Sequence, residues 1–144
     1  MLTTSIKNGA ISGIKSSWFL IKIIVPVYFI ITILNNTPAM DWLTAAASPL
    51  VAVFNLPGEA AVPLMTAVFL DEYGVIAAIK AVNLTGFGVT VIAVMTLISH
   101  SLILEAAISK KLGLSATFFT AYRLLASVLC GLVLNLIGTV LNLW

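Results

Sequence analysis

Charge is scarce in this chain: seven basic and five acidic side chains stand among 144 residues, for a formal net charge of +2. The basic residues are dispersed, and no alternation of aromatic and basic positions marks a nucleic-acid face, so no nucleic-acid partner is expected. Cysteine is scarcer still. Cys130 stands alone, which excludes an intrachain disulfide, a paired-cysteine zinc site and a dithiol redox motif. His100 is the single histidine, so an imidazole-pair metal site is excluded too. No serine or cysteine has a recognisable base at motif spacing. No catalytic residue, metal ligand or enzymatic activity is therefore expected.

What fills the sequence instead is hydrocarbon. The chain is 61% hydrophobic with a mean hydropathy of +1.17, far above the roughly half-apolar composition of soluble domains. These values indicate an all-α integral membrane protein with membrane lipid as its surroundings. Its length allows about three spanning helices plus shorter elements.

Along the chain, residues 1–17 are expected to form an interfacial helix, because Ile6, Ala10 and Ile14 share one helical face while Lys7, Ser12 and Lys15 lie off it. Residues 18–144 form the membrane domain. Its first span, 18–34, begins at Trp18 and stops at Asn35, Asn36 and Pro38. No small-residue cleavage site follows this run, so it is expected to be retained. Residues 41–54 read as a weaker helix, broken at Ser48 and Pro49. The residues from 114 to 144 read as the longest apolar helix. Thr120, Arg123, Ser127, Gly131, Asn135, Gly138 and Asn142 recur along it at three- and four-residue spacing. In lipid such a stripe of small and polar groups faces protein, since close approach and hydrogen bonds replace the hydrophobic drive.

Between these helices lie two apolar arms, 59–70 and 75–82, separated by Asp71, Glu72, Tyr73 and Gly74. Each arm is about as long as half a bilayer, so neither spans alone. If they form a re-entrant helical hairpin, the next segment returns the chain to the side of its N-terminus. Lys110 and Lys111 then join Lys7 and Lys15 on one face. Two ordinary spans would separate these lysines, so the positive-inside rule favours the hairpin, with the N-terminus cytoplasmic in a multi-pass inner (plasma) membrane protein.

Ionisable residues at membrane depth mark function by default. Asp71 and Glu72 at the hairpin tip are therefore candidate substrate- or ion-binding residues; a solvated surface turn is the competing reading. The next span carries Ser99, His100, Ser101 and Glu105. In an unbroken helix His100 and Glu105, five positions apart, point in different directions. Only a broken span lets both reach one cavity, and broken helices offer free backbone groups to polar substrates and ions. A packing histidine and an interfacial acid facing Lys110 or Lys111 compete with that reading. Glu59, in a first helical turn, is ordinary for capping by position alone. Lys80 and Arg123 are expected to be charge partners of the acids.

The run Leu56, Pro57, Gly58, Glu59, Ala60, Ala61, followed by the hairpin and by Ser99, His100, Ser101, resembles the Gate, or nucleoside-recognition, family of bacterial membrane proteins. The likeness covers about residues 41–137. The family includes spore maturation proteins and the gate regions of ferrous-iron transporters, and its fold is similar to half of a concentrative nucleoside transporter core. The resemblance implies a single transporter-like half-repeat, in which Asp71 and Glu72 match the hairpin tip and Ser99 to Leu102 the helix break. Gly58, Glu59, Ala60 and Pro63 also match the first hairpin tip of nucleoside transporters, which makes Glu59 a further ligand candidate, so the tip is either Pro57-Gly58 or Asp71-Gly74. The implied function is transport of a small polar, nucleoside-like solute through an elevator-type carrier core. No cofactor is expected beyond a coupling cation, Na+ or H+. The other half of the core would come from an inverted homologous subunit or from a homo-oligomer. The alternative is a non-transporting scaffold or signalling subunit that assembles through its C-terminal helix.

Overall fold

A computed structural model describes residues 2–144. Seven α-helices follow one another: α1 (Leu2–Asn35), α2 (Pro38–Val51), α3 (Ala61–Phe69), α4 (Glu72–Ala81), α5 (Gly86–Ser99), α6 (Leu102–Lys111) and α7 (Ala116–Val140). Two short 3-10 turns, Ala52–Phe54 and Gly58–Ala60, connect α2 to α3. Among the described residues there is no strand, and the protein is an all-α membrane protein. Three stretches are long and apolar enough to cross a bilayer: Ser5–Leu34, Gly86–Lys111 and Ala116–Val140.

α1 is one unbroken rod of 34 residues, about 51 Å at helical rise. The amphipathic stretch 6–15 and the apolar run 18–34 are thus parts of the same helix. The region lacks a residue that would end it, and Pro26 is accommodated inside. The rod stops where polar side chains take over its last carbonyls. Asn36 Nδ2 donates to Thr32 O at 2.9 Å, and Thr37 Oγ1 donates to Leu34 O at 2.7 Å. Pro38 then opens α2 at a position where its missing N–H costs nothing. α1, rather than the C-terminal segment, is therefore the longest helix; α7 has 25 residues.

α2 and α3 meet at 90°. Asn55 makes the corner with φ of 57°, a left-handed conformation that asparagine tolerates. Gly58 closes it, since a Cβ there would lie 2.5 Å from Thr44 O on α2. α3 and α4, with nine and ten residues, are each about 15 Å long and cannot span. They fold back on each other as a re-entrant hairpin. Tyr73 shares a groove with Lys15 and Phe19, while Val82 clusters with Ile31, so α4 runs parallel to α1. The hairpin consequently enters from the Asn35 end of α1 and points its 70–72 turn toward the lysine-bearing end.

α5 and α6 are the two halves of a broken span, and Gly113 at φ of 79° turns the chain into α7. The main core lies where α5 meets α7, the 3-10 turns and α3, around Phe54, Ala60, Val91, Ile92 and Met95. Bulky side chains such as Trp18, Phe29, Phe118 and Leu136 point outward, as lipid-facing positions do. The small face of α7 points inward. Gly131 lies against Met95 and Phe54, and Gly138 against Phe87 and Trp144. Asn135 Nδ2 donates to Val53 O at 3.0 Å. The stripe expected to face a partner chain is thus occupied at Gly131, Asn135 and Gly138 by the protein's own α5 and its neighbours. A helix so poor in bulk on one face lets α5 approach closely, and the connection of 112–115 is short enough to deliver it.

Candidate functional site

The break in the third span begins with side chains competing for backbone carbonyls. Thr96 Oγ1 donates to Ala93 O at 3.1 Å and Ser99 Oγ donates to Met95 O at 2.8 Å. His100 is then extended, at φ −75° and ψ 159°, and Ser101 takes the left-handed conformation with φ of 50°. The Ser101 amide turns away from α5 and donates to Ala67 O at 2.7 Å and Leu70 O at 3.1 Å. Its hydroxyl donates to Leu70 O at 3.3 Å. The accepting carbonyls belong to the last turn of α3, which has no helical donors of its own left. Two broken helix ends therefore satisfy each other, and the hairpin tip is docked on the break.

Around this stitch four ionisable side chains from four elements converge. His100 Nδ1 lies 3.0 Å from Glu72 Oε1 at the start of α4, and His100 Nε2 lies 3.8 Å from Glu105 Oε1 on α6. Arg123 of α7 pairs with Glu105. The same guanidinium donates through Nε to Ile98 O at 2.6 Å and through Nη1 to His100 O at 3.2 Å. Arg123 thereby occupies the negative end of the α5 dipole with carbonyls that the break set free. The break brings His100 and Glu105 to one place, which an intact helix forbids. The close approach of His100 and Glu72 is one of charge rather than an aligned hydrogen bond: Glu72 Oε1 is buried without a hydrogen-bond donor, while Nδ1 lies 3.2 Å from Leu97 O.

Ser101 stands nine positions from Lys110, about 13 Å along a helix, and Arg123 eight from Ser115, about 12 Å. Both distances run from the lysine-bearing end, the end of α1 at which Tyr73 of the hairpin lies beside Lys15 and Phe19. The cluster is not closed. The side chains of His100, Glu72 and Glu105 remain 26%, 30% and 32% exposed, and Arg123 is the most buried at 12%.

The remaining candidates fall elsewhere. Asp71 adjoins Glu72 but caps α4, accepting from the Gly74 amide at 3.3 Å. Ser99 is buried, and its hydroxyl reaches Ser127 Oγ at 3.3 Å; Ser127 in turn donates to Met95 O at 2.8 Å. Glu59 sits at the opposite end of the hairpin, where Oε2 accepts from the Asn83 amide at 3.2 Å and ties the loop after α4 to the start of α3. Lys80 lies on the exposed flank of α4 beside Tyr28 and Phe29, and among the described residues it forms no ion pair. Sequence reasoning missed the backbone participants, Ala67 O, Leu70 O, Leu97 O and Ile98 O, because a carbonyl's availability depends on where a helix stops. Among the described residues no group of three or more His, Cys, Asp or Glu side chains is placed to hold a metal ion.

Comparison with known families matches most of the chain. The family model described as Gate, nucleoside recognition, matches residues 17–140. The chain belongs to the Gate family. The match takes in the part of α1 that supports α4, earlier than the residue 41 at which the sequence resemblance begins. This Gate protein is also 36% identical over 129 residues to an uncharacterized membrane protein, YvoD, of Bacillus subtilis (strain 168). That alignment covers 90% of the present chain and 41% of the relative, so the Gate chain spans less than half the length of the relative it matches. No solved structure matches it. Family and fold together show a Gate membrane protein.

Proposed function

We propose that the protein is one half of an elevator-type carrier core that moves a small polar, nucleoside-like solute across the inner membrane. The observation that carries this reading is the docking of the 70–72 turn on the 99–101 break, with Glu72, His100 and Glu105 partly exposed beside it. Polar groups held within an apolar layer are costly unless they serve a ligand or an ion. Here backbone groups and side chains from α3, α4, α6 and α7 meet in one partly exposed cluster. In the carrier, Glu72, His100, Ser101 and Glu105 meet the solute or its coupling ion. Asp71 and Ser99 hold the tip and the break in shape, Arg123 balances the acids, and Glu59 fastens the hairpin base.

The second half of the core is supplied by an inverted homologous subunit. Lys7, Lys15, Lys110 and Lys111 fall on one side, which orients this chain with its N-terminus in the cytoplasm and disfavours an oppositely inserted copy of itself. The test is uptake of labelled purine and pyrimidine nucleosides by liposomes containing the protein, alone and with co-purifying membrane subunits. Glu72→Gln, His100→Gln and Glu105→Gln are each expected to abolish the uptake, and Lys80→Gln to preserve it. Uptake equal to the parent in all three cluster variants would remove this site from the transport path.

A further inference from the structure

The carrier reading leaves the coupling ion open between Na+ and H+, and the geometry of the cluster distinguishes them. We propose that the coupling ion is a proton carried at Nε2 of His100, and that this site has no place for sodium. The inference rests on the carrier reading for its role in transport, but its chemistry stands on the cluster alone.

Sodium at a broken helix needs oxygen ligands, chiefly carbonyls released by the break. In this protein five carbonyls at the cluster already hold a donor. Ile98 O and His100 O accept from Arg123, Leu97 O faces His100 Nδ1, and Ala67 O and Leu70 O accept from Ser101. A guanidinium fixed to α7 thus stands at the α5 terminus where a free cation would gain most from the dipole. The gap between Glu72 and Glu105 is filled by the imidazole ring.

Charge counting gives the remaining requirement. Two carboxylates and one guanidinium leave one negative charge in excess, which one added proton cancels. The other charged or titratable groups nearby are Asp71, whose carboxylate is committed to the α4 N-terminus, and, on the α1 side of Tyr73, Lys15. The position of the proton follows from hydrogen-bond chemistry. Leu97 O, at 3.2 Å from Nδ1, can only accept, so Nδ1 keeps its hydrogen in both states. The gained proton therefore binds the Nε2 lone pair, 3.8 Å from Glu105 Oε1. The resulting imidazolium attracts Glu72 from the hairpin and Glu105 from α6 at once. Its loss leaves two carboxylates facing each other across a neutral ring. Proton gain holds the tip on the break, and proton loss favours their separation.

Because His100 is the single histidine, the full chain can be tested directly by imidazole nitrogen-15 NMR in lipid nanodiscs. In its neutral form the ring is expected to show a protonated Nδ1 and a bare Nε2, with Nε2 acquiring the proton on acidification. Replacing choline chloride by sodium chloride at equal ionic strength is expected to move neither signal, and to leave the melting temperature at fixed pH unchanged. A neutral ring protonated at Nε2, a ring that never titrates while the protein is folded, or either quantity responding to sodium would overturn the proposal. Uptake driven by a sodium gradient would overturn it while sparing the carrier reading. Sodium-insensitive titration at Nε2 without any uptake would sink the carrier reading and leave the proton site intact.

Discussion

Ser101 gives its backbone amide to the Leu70 carbonyl, 3.1 Å away, from a residue held at φ of 50°. The left-handed conformation aims the N–H out of the α5–α6 axis and at the hairpin. A β-branched side chain disfavours that backbone, whereas glycine adopts it without strain. Ser101→Val is therefore expected to destabilise the protein by about 2 kcal/mol. Ser101→Gly, which loses one side-chain hydrogen bond but relieves the backbone, should stay within about 1 kcal/mol of the parent. Thermal melts in a single detergent compare the three proteins, and equal losses for valine and glycine would contradict the assignment.

Arg123 serves Ile98 O, His100 O and Glu105 together. Arg123→Met leaves a carboxylate and two carbonyls without donors, at a cost of about 2 kcal/mol; the cost stays below that of a fully buried pair because Glu105 keeps 32% of its side chain exposed. Lysine keeps the charge without the planar fork, so Arg123→Lys should recover only part of the loss. A double-mutant cycle with Glu105→Gln is expected to give a coupling energy of about 1–2 kcal/mol by denaturant titration. Strict additivity would mean that the two side chains act separately.

Gly131 is packed within the chain, where a Cβ would come within 2.6 Å of the Met95 sulfur. Gly131→Leu is expected to cost about 1–3 kcal/mol through overpacking. Because that contact is intramolecular, the loss should not depend on protein concentration in the detergent phase. A concentration-dependent melting point that weakens in the variant would instead place this glycine between subunits.

Gly58 sets the corner between α2 and α3 by its contact with Thr44 O. Gly58→Ala should lower stability by about 1–3 kcal/mol. It should also speed cleavage at the 55–57 corner in limited proteolysis, relative to the parent at the same temperature. An unchanged digestion pattern together with an unchanged melting point would show that the corner has slack.

The hairpin and the broken span were legible because each announces itself by composition. Acids interrupt two arms too short to cross, and Ser99, His100 and Ser101 interrupt a run that is otherwise hydrocarbon. The different duties of Asp71 and Glu72 were not legible. They are neighbours of like chemistry, and only the turn geometry sends one carboxylate to the Gly74 amide and the other toward His100. The spacing along α7 correctly marked a face that meets protein, but spacing carries no record of whose protein it meets. Likewise the lysines, serines and glycines of residues 5–17 suggested a separate surface helix, although none of them breaks a helix that the following apolar run continues.

α7 turns its small residues inward, so what it offers to the surroundings is bulk: Phe118, Tyr122, Leu125, Val133 and Leu136. Acyl chains solvate such a surface as well as another helix would, so contact there supplies little specificity. The outer flank of α7 is accordingly a surface for lipid, and its bulk fits it to acyl chains without selecting any one neighbour.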